Sequence, residues 1–231
     1  MKVDVLILHG IAKIIRKDAY TPFIDGIDHW LPLHFDVKYH QVDYSYLLQK
    51  KEEQIFGWME PLPYKKLTNF GAFFVADALA YAYPKHHPTV EGDFIYDVNK
   101  LLCQKLGECR DDSKKVIIGH SLGSIVGYGI SWDIHIDCLI TMGSPFFYFS
   151  PRYKDNGEMN PDLAQFHNFW KSTDKVSCGP ISKNPKFASV HDYRVKSMNP
   201  KYLLPVKAHS SYWTSKYVHE KIASIIQGLY Q

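Results

Sequence analysis

A chain of 231 residues, 45% hydrophobic and 22% charged, has the length of one domain and the composition of an ordinary soluble globular protein. The net charge is +3 with no basic run of note, which gives nucleic-acid binding no support, and no apolar stretch approaches the roughly 18 residues needed to cross a bilayer. Nothing resembles a signal peptide, and Cys103, Cys109, Cys138 and Cys178 show no metal-binding spacing, so the expectation is a reduced, cytoplasmic protein without metal or cofactor.

Val3 to Leu8 is an apolar run interrupted only by Asp4, and it reads as a strand ending at His9-Gly10. Phe23, Ile27, Trp30 and Leu31 follow at helical spacing, and Phe35, Val37 and Tyr39 alternate with polar residues as a second strand. Strand, helix and strand within about forty residues make a βαβ unit and imply a parallel sheet. Residues 45–90 break the rhythm with many aromatics and with Pro61, Pro63, Pro84 and Pro88. This stretch reads either as a lid lining an apolar pocket or as core helices joined by thick loops. A helix is predicted over 91–109, with Phe94, Ile95, Val98, Leu101, Leu102 and Leu106 on one face. Further strands are predicted at 138–142, 166–170 and 190–196. A closing helix over 215–229 turns Val218, Ile222, Ile225, Ile226 and Leu229 inward and His219 outward to solvent. Phe146 to Phe149 directly follow a strand end and read either as pocket lining or as core.

The most informative segment is Lys115-Val116-Ile117-Ile118-Gly119-His120-Ser121-Leu122-Gly123-Ser124. Glycine and serine usage alone would produce Gly-x-Ser-x-Gly in roughly one such chain in twenty, so the pentapeptide by itself is weak. A β-branched run before it and a small-residue helix after it, to about Ile130, make it strong. A serine on a strained strand-to-helix turn exposes its hydroxyl, and side chains at 119 or 123 would collide with the neighbouring strand or helix. The new helix aims its N-terminus at Ser121, which favours a developing oxyanion there.

A serine hydroxyl needs a base, and the base needs an orienting acid. In a parallel sheet these groups gather beyond the strand carboxyl ends. Asp174 follows the 166–170 strand and His209 lies in the loop after the 190–196 strand, in the chain order Ser, Asp, His. Asp155 and Asp192 compete for the acid with poorer placement. His120, beside the serine, cannot reach its neighbour's hydroxyl and is expected to pack or bond locally. Two backbone N–H groups, those of Leu122 and Ile11, are placed to form an oxyanion hole.

Through these residues the chain resembles the α/β-hydrolase superfamily on its lipase- and esterase-like side. Relative to that pattern it looks truncated at the N-terminus, so that it begins at the strand before the oxyanion loop. The resemblance spans nearly all of residues 1–231 as a single domain: a mostly parallel central sheet flanked by helices on both faces, with the aromatic insertion at 45–90. It implies an acyl-enzyme route in which Ser121 attacks, His209 moves the proton and Asp174 orients His209. The substrate expected is a small-molecule ester with an apolar group. A thioesterase, an amidase and an acyltransferase would use the same triad, and the fold can also serve as a non-catalytic binding module.

Overall fold

The computed structural model describes residues 1–9, 20–44, 94–149, 159–196 and 205–231. In chain order these form β1 (Lys2–Leu8), α1 (Thr21–Asp28), β2 (Asp36–Val42), α2 (Phe94–Gly107), β3 (Lys114–His120), α3 (Leu122–Ile130) and β4 (Cys138–Met142). There follow α4 (Phe146–Phe149), β5 (Gln165–Trp170), β6 (His191–Arg194), α5 (Pro205–Ser210) and α6 (Lys216–Gly228), with short 3₁₀ turns before β6 and between α5 and α6. The six strands form one sheet in the order β2-β1-β3-β4-β5-β6, and every pairing is parallel.

Strand residues alternate between two covered faces, which is why the central strands read as continuous apolar runs. Leu6, Ile117, Leu139 and Phe166 pair in register across four strands and share one core with Val98 and Leu102 of α2 and Ile125 and Val126 of α3. Val5, Val116 and Cys138 form the equivalent row on the other face, packed with Phe23 and Ile27 of α1 and Val218, Ile222 and Ile226 of α6. The predicted flanking of the sheet by helices on both faces is therefore observed.

Two expectations are corrected. α1 stops at Asp28, so Trp30 and Leu31 pack from the turn beyond it rather than from the helix. His219 does not face solvent: it is buried, its Nε2 donates to Trp213 O at 2.9 Å, and its ring meets Phe23 edge-on. α6 packs against α1 at that point because Gly26 has no side chain there. A Cβ on Gly26 would come within 2.2 Å of His219 Nδ1.

A buried polar network closes the amino-terminal end of the sheet. Asp4, with no exposed surface, takes hydrogen bonds from His40 Nε2 at 2.7 Å and from Arg110 Nε at 2.9 Å. Burial pushes its carboxyl up, but the bonds from His40, Ser113 and Arg110 outweigh burial and hold its pKa down at about 2. Because the folded value lies below the ordinary value of 3.8, the stabilisation is present above pH ~4 and is lost as pH falls from there toward 2. Asp4→Asn is accordingly expected to cost about 2 kcal/mol at neutral pH. It should also flatten the fall of stability between pH ~4 and ~2. Urea unfolding of both proteins at pH 7 and pH 3 checks this, and an equal deficit at both pH values would refute the assignment.

Candidate active site

β3 delivers the chain to Ser121, and α3 departs from it. Ser121 has φ 55° and ψ −127°, and among the described residues it alone combines a side chain with positive φ. Such a conformation costs on the order of 1–3 kcal/mol and persists only where the surroundings impose it. They do so through close backbone approach. A Cβ at position 119 would lie 2.6 Å from Gly123 O, and one at position 123 would lie 2.4 Å from Leu8 O at the end of β1. The expected collisions with helix and strand are thus the observed ones. Ser121 N donates to Met142 O at 3.0 Å, tying the turn to β4. Ser124 Oγ donates to Ser121 O and is bonded to Ser144 Oγ at 2.6 Å. Leu122 is the first residue of α3, where a backbone N–H has no intrahelical acceptor. Ile11 and Gly10 lie outside the described residues.

Asp174 and His209 meet. His209 Nδ1 donates to the Asp174 carboxylate, at 2.9 Å from Oδ2 and 3.1 Å from Oδ1. Oδ1 also accepts from the N–H groups of Val176 at 3.0 Å and Ser177 at 3.3 Å, and Oδ2 accepts from the Tyr212 hydroxyl at 3.0 Å. Both residues of the pair are buried. With its Nδ1 proton engaged, the neutral His209 ring carries a lone pair on Nε2, as a base requires. His209 sits in the last turn of α5 rather than in the expected loop.

The same end of the sheet holds Ser121 and this pair. His120, the residue before Ser121, donates from Nε2 to His209 O at 2.8 Å, and the two rings lie 4.5 Å apart between centroids. Burial, then the neighbouring His209 and His9, hold the His120 pKa well below its ordinary value, so this ring stays neutral. Local bonding of His120 was expected; that it ties β3 to α5 was not. Trp213 stacks on His9 at 5.7 Å, which adds the end of β1 to the cluster.

Gly143, directly after β4, completes the enclosure. It has φ 58°, and a Cβ there would stand 2.9 Å from Asp174 Oδ2, 2.9 Å from Tyr212 Cε2 and 3.1 Å from His209 Cε1. Sequence reasoning gave neither Gly143 nor Tyr212 a role. The signal available was the glycine at a strand carboxyl end.

Other candidates lie elsewhere. Asp192 caps a 3₁₀ turn, accepting from Ile181 N at 2.9 Å, Ser182 N at 2.8 Å and Asn168 Nδ2 at 2.6 Å. Asp155 and the stretch 45–90 lie outside the described residues, as do the side chains of Tyr148 and Phe149. Phe146 is core rather than pocket lining, fully buried with its ring 4.9 Å from those of Tyr128 and Phe187. Among the described residues, Asp4, His40 and Cys109 bring ligand-type atoms within 4.8 Å of one another, which cysteine spacing did not reveal. Arg110 already compensates the Asp4 charge there.

No protein-family model matches the chain, and no curated protein matches it. Solved structures do. One, described as a hydrolase of the alpha/beta superfamily from Xanthomonas campestris pv. campestris, aligns over 98% of this chain and 99% of its own with a TM-score of 0.54 and 14% identity. Another, described as a YdeN-like hydrolase from Pectobacterium atrosepticum, aligns over 99% and 92% with a TM-score of 0.51 and 10% identity. What survives at such low identity is the path of the backbone, and the path this chain follows is the α/β-hydrolase fold.

Proposed function

We propose that this protein is a serine hydrolase that cleaves carboxylic esters through an acyl-enzyme. The observation that carries the reading is the buried Asp174–His209 pair, whose histidine carbonyl is bonded to His120, the residue preceding a serine held at positive φ. In this mechanism Ser121 Oγ attacks the ester carbonyl carbon while His209 Nε2 takes its proton. The tetrahedral oxyanion is held by the N–H groups of Leu122 and Ile11. Collapse expels the alcohol, which carries away the proton from His209. Water, deprotonated by His209, then attacks the acyl-enzyme and releases the acid and Ser121. Asp174 keeps the histidine in the Nδ1–H tautomer and stabilises the imidazolium formed in each half-reaction.

The expected substrate is a small ester with an apolar acyl or alcohol group, a preference that rests on the aromatic content of residues 45–90. We place the protein in the cytoplasm, a reading from composition. No described helix is long and apolar enough to cross a membrane.

A fluorophosphonate probe is expected to label the protein once, at Ser121, as read by peptide mass spectrometry. p-Nitrophenyl esters of rising chain length should be hydrolysed at a rate that EDTA leaves unchanged. An unlabelled Ser121, or hydrolysis abolished by the chelator, would refute the serine mechanism.

A further inference from the structure

The Asp174 carboxylate has, besides His209, a second side-chain donor among the described residues: the Tyr212 hydroxyl, 3.0 Å from Oδ2. Oδ2 is the oxygen that His209 Nδ1 approaches more closely. The remaining donors, Val176 N and Ser177 N, act on Oδ1. The carboxylate is therefore gripped on one oxygen by its own loop and on the other by Tyr212. Donors at both oxygens resist rotation about the Cβ–Cγ bond, which would carry the carboxylate out of line with the histidine N–H, and Tyr212 supplies the hold on Oδ2 that does not come from His209 itself.

Tyr212 is itself fixed. Its ring is fully buried, three residues after His209 and within the 3₁₀ turn Ser211–Thr214 that follows α5. Ser211 Oγ donates to Ala208 O at 2.6 Å and receives a bond from the buried Lys171 ammonium, which also lies 5.5 Å from the centre of the Tyr212 ring. The absent side chain at Gly143 leaves the room the ring edge occupies, since a Cβ there would stand 2.9 Å from Tyr212 Cε2. Burial, then the Asp174 charge, push the phenol pKa well above its ordinary value, so the hydroxyl remains a donor across the working pH range.

We propose that Tyr212 is a positioning residue of the hydrolase site, its hydroxyl setting the orientation of Asp174 and sharing the carboxylate charge that faces His209. The proposal rests on the Ser121–His209–Asp174 reading. Removing the hydroxyl has two effects. The carboxylate gains freedom to rotate, which lowers the fraction of aligned pairs and hence kcat. Its charge, with one donor fewer, concentrates on the face toward His209 and favours the imidazolium there, so the acid limb of the rate profile moves to higher pH. Among the described residues, the other titratable or charged groups around the pair are His120 from β3, Lys171 at the end of β5 and, beyond His120, His9 at the end of β1. The substitution leaves all three in place.

The test is Tyr212→Phe, which keeps the ring and removes only the oxygen. With p-nitrophenyl butyrate, kcat is expected to fall about tenfold with KM within about twofold of the parent. The acid limb of kcat/KM should rise, and Ser121 should react with the fluorophosphonate probe about tenfold more slowly. Thermal unfolding checks that the variant folds, and Tyr212→Trp, which restores a ring N–H donor, supplies a second reading of the same contact. If the folded Tyr212→Phe protein keeps the parent kcat and labelling rate, or loses kcat with the limb unmoved, the proposal is overturned while the triad stands. If the parent protein itself is not labelled at Ser121, the triad reading fails and takes this one with it.

Discussion

Ser121→Ala is expected to lower kcat/KM for p-nitrophenyl esters by on the order of 10³-fold or more, with the melting temperature nearly unchanged. The two halves of this result have separate causes. Activity falls because the acyl-enzyme cannot form without Oγ, and what remains comes from whatever the oxyanion donors and binding pocket provide. Stability holds because the hydroxyl does not support the fold. A serine at this position usually caps the helix, yet Ser121 makes no capping bond to α3. The positive φ costs alanine what it costs serine, and the bonds that fix the turn come from Ser121 N and O, which the variant keeps. Steady-state rates and thermal melts of both proteins check it. A folded variant with most of its activity would place the nucleophile elsewhere.

Asp174→Asn is expected to cost kcat on the order of 10³- to 10⁴-fold while KM stays close to the parent value. The geometry says why an isosteric change does so much. The two N–H groups of Val176 and Ser177 require an acceptor at Oδ1. The asparagine side chain has one oxygen, and these donors claim it. The amide NH₂ then stands where Oδ2 was, facing His209 Nδ1 and the Tyr212 hydroxyl. A donor at that place selects the tautomer with a bare Nδ1 and a proton on Nε2, the form that cannot accept the proton of Ser121. Substrate contacts are untouched, so binding is preserved. Turnover and KM of Asp174→Asn, set beside Asp192→Asn as a control, decide the matter. A harmless Asp174→Asn with a damaged Asp192→Asn would reassign the acid.

The elbow was legible because its constraint is local: strand, tight turn and helix lie within a few residues, and the glycines at 119 and 123 are where the backbone crowds. The covered strands were legible from their runs of apolar residues. What was not legible depends on which elements become neighbours. His219 lies off the apolar stripe of its own helix, and only the approach of α1 at Gly26 buries it. Phe146 reads equally as pocket or core until β5 brings Phe166 beneath it. Tyr212 and Asp174 are joined across a stretch of chain that no periodicity connects. The helix holding His209 spans six residues, too short to leave a periodic signature, and its first residue is proline.

The parallel sheet also makes the molecule depend on pairings between distant parts of the chain. β1 and β2 are joined by a short crossover, but β1 meets β3 by pairing Val3 with Lys114, and the loop closed in doing so is long. The turn that carries Ser121 is held against the end of β1 at Gly123 and against β4 at Met142, so it needs both pairings. Asp174 waits for β5, and His209 for the segment beyond β6. The groups assigned to the chemistry thus lie on several strands and segments far apart in the chain, and distant pairings of this kind are slow to form. Refolding should therefore regain helix and sheet signals before it regains turnover, which makes enzymatic activity the last clock to start.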